Sequence, residues 1–122
     1  MAQENGSVNA QLEAWLKIRT ASGENAECLI DTGFNGALML PREIIHRLGL
    51  EILGRVPIIA AGGIKSIADI AELELEWRGR HQWVEVLIST GEDSLLGTAL
   101  LDGTRLRIDY VDHMVTVSDE TN

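Results

Sequence analysis

The sequence has almost no cysteine: Cys28 is the only one, so no disulfide can form within the chain. Thiols stay reduced in the cytosol, and chains without disulfides are typical of such compartments. Cys28 falls in a predicted buried strand, where cysteine usually serves as a small apolar side chain. The composition therefore favours a cytoplasmic protein.

Positive charge is also scarce. The 10 lysines and arginines are outnumbered by 19 aspartates and glutamates, which gives a net charge of −9. Nucleic acids and anionic membranes are bound mainly through clustered positive charge. The charge balance therefore argues against nucleic acid and against a membrane as partners.

Long hydrophobic runs are absent. No segment reaches the roughly 20 consecutive apolar residues that a transmembrane helix needs, and residues 1–10 lack the basic start and apolar core of a signal peptide. The 122 residues, 45% of them apolar, suffice for one domain with a single core. We expect a flexible N-terminal segment at 1–10, the domain at 11–118 and a C-terminal tail at 119–122.

Strand signals dominate what the sequence does contain. Apolar and polar residues alternate at 12–19, 72–76 and 83–88, which is typical of half-buried strands. Turns that contain glycine, such as those at Gly23 and Gly79, separate the alternating segments. Short strands at this spacing predict a small all-β barrel or sandwich.

Two segments favour helices. Residues 41–49, PREIIHRLG, begin with a proline that suits the first helical position and end with a glycine that can close the helix. Residues 98–101 can start a second, short helix. The predicted fold is therefore all-β with one or two short helices.

The tripeptide Asp31-Thr32-Gly33 is the main candidate for chemistry. The apolar pair Leu29-Ile30 delivers Asp31 to the start of a glycine loop, where backbone donors can hold its carboxylate. Taken alone, the tripeptide fits an Asx turn without chemistry equally well. The motifs that follow it decide between the two interpretations.

Later motifs follow Asp31-Thr32-Gly33 in a defined order. Residues 58–64, IIAAGGI, place a glycine pair at the tip of a predicted hairpin, and Leu95-Leu96-Gly97 leads into the short helix before a closing apolar strand. In this order and spacing the sequence resembles the retroviral-type (retropepsin-like) aspartic proteases, in particular their single-domain prokaryotic relatives. The resemblance extends over residues 12–110.

This resemblance implies a small closed acid-protease barrel. Aspartic catalysis uses two carboxylates that share a proton, one acting as a base on water and the other donating to the peptide carbonyl. The sequence has one Asp-Thr-Gly and no Asp-Ser-Gly. The resemblance therefore implies a homodimer with Asp31 beside its symmetry mate at the two-fold axis. The expected function is that of an aspartic endopeptidase acting on extended peptide or protein substrates.

The resemblance also implies residue roles. Asp31, Thr32 and Gly33 form the catalytic loop, with Thr32 bonding across the axis. Leu95-Leu96-Gly97 packs under this loop, and Gly97 allows the close approach. The glycine-tipped hairpin resembles a flap that closes over a bound peptide. No metal and no organic cofactor is implied. Substrate binding is assigned to six residues beside the loop and at the flap tip: Phe34, Asn35, Ala61, Gly62, Gly63 and Ile64.

The sequence departs from the family pattern in two places. A small and then an acidic residue usually follow the glycine, but here Phe34 and Asn35 follow Gly33. A basic residue that pairs with this acid usually follows the second glycine, but here Thr98 follows Gly97. We expect Phe34 to crowd the nearest substrate subsites. The alternative function is a binding or assembly dimer on the same fold, in which catalysis is weak or lost.

Overall fold

Ten strands and two short α-helices make up the parts of the chain that the computed structural model describes, residues 2–59 and 61–119. In chain order the elements are β1 (Gln3–Val8), β2 (Ala14–Thr20), β3 (Asn25–Ile30), β4 (Leu38–Pro41), α1 (Arg42–Arg47), β5 (Gly54–Ile59), a 3₁₀ turn (Ala61–Gly63), β6 (Lys65–Trp77), β7 (Arg80–Ser89), β8 (Leu95–Leu96), α2 (Thr98–Leu101), β9 (Thr104–Asp109) and β10 (Met114–Asp119).

The ten strands form one sheet that closes on itself. Their order is β5-β6-β7-β4-β8-β3-β2-β1-β10-β9, and a further pairing joins β2 to β6. At this junction Arg19 lies opposite Glu76 and Thr20 lies opposite Leu75. The junction turns β6, β7, β4, β8, β3 and β2 into a closed ring, which leaves β5 on one side and β1, β10 and β9 on the other. The predicted small all-β barrel is confirmed.

The core follows from the alternation along each strand. In β2, Leu16 and Ile18 are almost completely buried, whereas Lys17 between them is exposed. In β6, Leu73 and Leu75 point inward in the same way. Each such side chain contributes about 1.5–3 kcal/mol when it leaves water. The period of two in the sequence therefore corresponds to the inner and outer faces of the barrel.

Cys28 belongs to this core. Its side chain is fully buried, and burial, reinforced by the nearby charge of Glu27, raises the pKa of the thiol to about 12. A thiol with so high a pKa stays protonated and has little nucleophilic character at neutral pH. Cys28 therefore acts as a small apolar residue of the core, as predicted.

The N-terminus differs from the expected flexible segment. Residues 3–8 form β1, which pairs with β2 on one side and with β10 on the other. The hydrophobic pattern did not predict this strand because polar groups hold β1 in place. The Glu4 carboxylate is buried and accepts two hydrogen bonds from Arg19, at 3.0 and 3.1 Å. It also accepts the Arg78 backbone N–H at 2.7 Å. The expected flexibility is wrong for residues 3–8, whereas the outer limits of the domain stay a prediction.

Both helices lie where the sequence placed them. Helix α1 starts after Pro41, within the predicted residues 41–49, and α2 occupies the four residues predicted for it. Across residues 2–59 and 61–119, no helix combines the length and the hydrophobicity needed to cross a membrane. Helix α2 directly follows β8, and β8 pairs with β3. The helix therefore lies next to the end of β3, which Asp31 follows.

Candidate active site

The position of the Asp31 loop follows from the order of three neighbouring strands, β3, β8 and β4. Strand β8 lies between β3, to which it is parallel, and β4, to which it is antiparallel. Asp31 is the first residue after β3, and residues 31–37 connect β3 to β4. Since these two strands flank β8, the connecting loop has to pass over the end of β8. The topology thus fixes Asp31 above Leu96 and Gly97.

Backbone hydrogen bonds hold both sides of this crossing. The Asp31 N–H donates to the Leu96 carbonyl at 3.0 Å, and the Thr98 N–H donates to the Phe34 carbonyl at 2.8 Å. The Thr98 hydroxyl donates to the same carbonyl at 3.3 Å. Thr98 therefore anchors the loop through neutral hydrogen bonds at a position where the family pattern has a basic residue.

Gly97 is required by space. A Cβ atom on Gly97 would lie 2.2 Å from the Gly36 carbonyl oxygen and 2.5 Å from the Phe34 carbonyl oxygen. Contacts this short involve backbone atoms of the loop that crosses β8, so they cannot relax cheaply. The predicted close approach of Gly97 to the Asp31 loop is present in the structure.

The Asp31 carboxylate is oriented by its own turn. The Gly33 N–H donates to Asp31 Oδ1 at 2.9 Å, and the Phe34 N–H donates to the Asp31 carbonyl at 3.1 Å. Asp31 is half-buried, whereas Thr32 and Gly33 are exposed. The turn therefore presents a fixed carboxylate at the edge of the molecule, within reach of solvent or of a second chain.

Next to Thr32 lies a surface pocket of about 570 Å³. Thr32 and Asn35 line it on the side of the loop, and Thr98 and Leu101 line it on the side of α2. Thr104 and Leu106 line it on the side of β9. The lining therefore includes Asn35 and Thr98, two of the residues that depart from the family pattern.

The glycine-tipped hairpin is formed by β5 and β6, which pair as far as Ile59 and Lys65. Gly62 and Gly63 have φ angles of +80° and +78°, a backbone conformation that favours glycine. Ile59 and Ile64 flank the tip and are 75% and 67% exposed. The predicted turn is confirmed, and its role as a flap stays a prediction. Ala60 and the side chain of Ala61 lie outside the described residues.

An ionic cluster holds the base of this hairpin. Asp69 of β6 lies opposite Arg55 of β5, and Arg55 Nε is 3.3 Å from Asp69 Oδ1. Arg42, at the start of α1, binds the other oxygen of the same carboxylate. Asp69 therefore links both strands of the hairpin to α1.

The predicted site residues fall on two segments. Asp31, Thr32, Gly33, Phe34 and Asn35 lie together on the loop that crosses β8, and Ala61, Gly62, Gly63 and Ile64 lie at the hairpin tip. The roles assigned to them in catalysis and substrate binding stay predictions.

Gly36 is a residue of this loop to which the sequence assigned no role. A Cβ atom on Gly36 would lie 2.6 Å from Cζ of the Phe34 ring, so the ring occupies the space that a side chain would need. The signal in the sequence was a second glycine three residues after Gly33. Without the direction of the Phe34 side chain, that signal could not be interpreted.

Comparisons with known proteins agree with this architecture at the level of the fold. No family model matches the chain, and no curated protein matches it. The crystal structure of a retropepsin-like aspartic protease from Rickettsia conorii is similar, with a TM-score of 0.68 and 20% identity, covering 96% of this chain and 90% of that one.

Two viral structures are similar as well. EIAV protease in complex with the inhibitor HBY-793 gives a TM-score of 0.59 and 18% identity, over 76% of this chain and 88% of that one. A foamy viral protease-reverse transcriptase in complex with an RNA/DNA hybrid gives 0.51 and 15%, over 71% of this chain and 11% of that one. The chain has the retropepsin-like fold, as the order of its motifs predicted.

Proposed function

We propose that the protein is an aspartic endopeptidase that acts as a homodimer. The observation that carries this proposal is the Asp31 turn: a carboxylate oriented by the Gly33 N–H, at the point where a loop crosses β8 in a retropepsin-like fold. The fold alone does not assign this function, because one fold can host many activities, so the proposal rests on the turn and the fold together.

A second copy completes the proposed site. Aspartic catalysis needs two carboxylates about one hydrogen bond apart, and the sequence contains a single Asp-Thr-Gly. Asp31 and Thr32 lie where another chain can reach them, since Asp31 is half-buried and Thr32 is exposed. A two-fold axis beside Thr32 brings Asp31 next to its symmetry mate and lets the two Thr32 side chains meet.

The proposed reaction conserves the proton of this dyad. One Asp31 carboxylate accepts a proton from water while the water oxygen attacks the peptide carbonyl carbon. The protonated Asp31 of the other copy donates to the carbonyl oxygen, which gives a tetrahedral diol. The C–N bond then breaks as the nitrogen takes a proton from the first carboxyl group, and a diol hydroxyl returns its proton to the second.

The proposed substrate is an extended peptide with apolar side chains near the cleaved bond. Ile59 and Ile64 carry the supporting argument, because both flank the hairpin tip and expose most of their surface. Covering an apolar substrate side chain would remove this surface from water. We place the activity in the cytoplasm, since the only thiol is buried and the chain can form no internal disulfide.

The test combines a cleavage assay with a measurement of mass in solution. Wild-type protein should sediment as a dimer and cleave a mixed peptide library, and a statine-type inhibitor should block the cleavage. Asp31→Asn should lose cleavage while it keeps the dimer and the circular dichroism spectrum. The matched control is Asp112→Asn in the exposed β9–β10 turn, which should cleave like wild type.

Three results would contradict the proposal. A strict monomer at micromolar concentration would remove the dyad, and unchanged cleavage by Asp31→Asn would remove the mechanism. A stable dimer without inhibitor-sensitive cleavage would instead favour the alternative function, a binding or assembly module on this fold.

A further inference from the structure

The Phe34 side chain lies over a pair of glycines. Its ring atoms Cζ and Cε1 are 2.6 and 2.9 Å from the place where a Gly36 Cβ would be, and Cδ2 is 2.5 Å from the corresponding place at Gly97. The ring thus spans the gap between the loop and the start of α2. Phe34 itself is half-buried.

Neither glycine is required by backbone conformation; Gly97 is required by the backbone atoms beside it, and Gly36 leaves the space that the Phe34 ring occupies. Gly97 has φ −111° and ψ −176°, which is extended backbone that any residue adopts. Gly36 does not have a positive φ either. A side chain at either position would meet the Phe34 ring, so the ring packs directly against the two glycines.

We propose that Phe34 is the positioning residue of the Asp31 loop, and does not line a substrate subsite. The Phe34 N–H closes the Asp31 turn and the Phe34 carbonyl accepts the two Thr98 donors, so the backbone of this residue links Asp31 to α2. The ring on Gly36 and Gly97 fixes that backbone in place. The catalytic part of this inference rests on the proposed function.

The packing of the Phe34 ring on Gly36 and Gly97 explains why the loop can lack the ion pair of the family pattern. An Asn35–Thr98 combination cannot form a salt bridge, so the loop is held against α2 by the two Thr98 hydrogen bonds to the Phe34 carbonyl and by the packed ring. A phenylalanine ring packed on two glycines supplies apolar contact that does not depend on charge. Phe34 does not line the pocket beside Thr32, which Thr32 and Asn35 line on the side of the loop.

A double-mutant cycle tests the contact without reference to activity. Gly36→Ala should lower the midpoint of urea unfolding, because the new methyl group collides with the ring. The three atoms nearest to this methyl group all belong to Phe34, so Gly36→Ala should have almost no further effect in a Phe34→Ala background.

Gly97→Ala is the matched control of this cycle. Its methyl group would collide with the carbonyl oxygens of Gly36 and Phe34, which Phe34→Ala leaves in place. Gly97→Ala should therefore destabilise both backgrounds. Additive effects of Gly36→Ala and Phe34→Ala would show that the ring does not rest on Gly36, and would overturn the proposal.

Kinetics distinguish positioning from substrate binding. If Phe34 positions Asp31, then Phe34→Ala should lower kcat about 100-fold, as small displacements of reacting groups do, while KM stays within about twofold and the dimer persists. Phe34→Leu should recover part of kcat. A variant that raises KM and leaves kcat unchanged would assign Phe34 to the substrate subsites instead.

Hydrogen exchange keeps this test separate from the proposed function. The Gly33 N–H donates to Asp31 Oδ1, so a loosened loop should exchange this amide faster in Phe34→Ala than in wild type. If the wild type has no peptidase activity, the proposed function fails, and the cycle and the Gly33 exchange rate still decide whether Phe34 positions the loop. An unchanged Gly33 rate would overturn the inference.

Discussion

Asp69 and Arg55 face each other across the base of the β5–β6 hairpin, with Arg55 Nε 3.3 Å from Asp69 Oδ1. The same carboxylate also binds Arg42, so one acidic side chain connects both strands of the hairpin to α1. The hairpin tip carries two glycines with positive φ and exposed isoleucines. A tip whose backbone conformation favours glycine is thus combined with a base that ion pairs hold in place.

Asp69→Asn should make the hairpin open more readily, while it lowers the unfolding free energy of the whole protein only slightly. The side chains of Arg42 and Arg55 are 56% and 74% exposed, so solvent screens the pairs and the loss should be about 1 kcal/mol or less. Amide exchange in residues 54–70 should become faster, and high salt should mimic the substitution in the wild type. Glu51→Gln, at an exposed carboxylate, is the control. Unaltered exchange in the hairpin would contradict an anchoring role for Asp69.

Glu4→Ala should destabilise the protein, although it lies near the N-terminus. The buried carboxylate binds Arg19 through two hydrogen bonds and accepts the Arg78 N–H, so its removal leaves both donors without their acceptor. Arg19 is 42% exposed and can regain water. The loss of unfolding free energy should therefore be about 2 kcal/mol, near the value for hydrogen bonds to charged groups. Urea unfolding measures it, and a loss no larger than that of Glu13→Ala would show that β1 is held without Glu4.

The Asp31 loop and the hairpin tip could be predicted because their signals are local. Asp31 follows an apolar strand and precedes a glycine, and Gly62-Gly63 interrupts a β-rich stretch. Backbone requirements of this kind are visible within a few residues of sequence. The alternation along β2 and β6 likewise reports which face is buried.

Strand β1 and the Phe34 ring could not be predicted, because both depend on distant contacts. The polar residues of β1 form a strand since β2 and β10 supply hydrogen bonds on both sides, and Glu4 finds partners 15 and 74 residues away. The direction of Phe34 depends on Gly97, which is remote in sequence and becomes a neighbour through the strand crossing. Periodicity contains no information about either contact.

Asp109 should make the stability of the β9–β10 turn depend on pH. The backbone N–H groups of Asp112 and Val111 donate to its carboxylate and, in that order, hold its pKa below the usual 3.8, with smaller help from Arg107. A lowered folded pKa stabilises the fold above the unfolded pKa, and the benefit is lost as pH falls through the folded value. Asp109→Asn should therefore melt below wild type at pH 7, and the gap should close below pH 3.8. A gap that stays constant from pH 7 to the acid limit would contradict this linkage.

Asn35→Asp combined with Thr98→Arg should restore an ion pair at the loop. Both positions line the pocket beside Thr32, so an arginine from α2 has room to reach an aspartate on the loop. Asn35 is exposed and Thr98 half-buried, so the coupling between the two substitutions should be modest, about 0.5–1 kcal/mol in unfolding free energy.

Asn35→Asp with Thr98→Met is the matched control, because methionine supplies length without charge. The new pair should hold the loop in parallel with the Phe34 ring, since the Thr98 backbone N–H bond to the Phe34 carbonyl does not depend on the side chain. Phe34→Ala should therefore cost less stability in the background that carries the restored ion pair than in the wild type. An equal cost in both backgrounds would mean that the ring and the ion pair do not support the same segment, and that the departures from the family pattern at the loop and at α2 are unrelated.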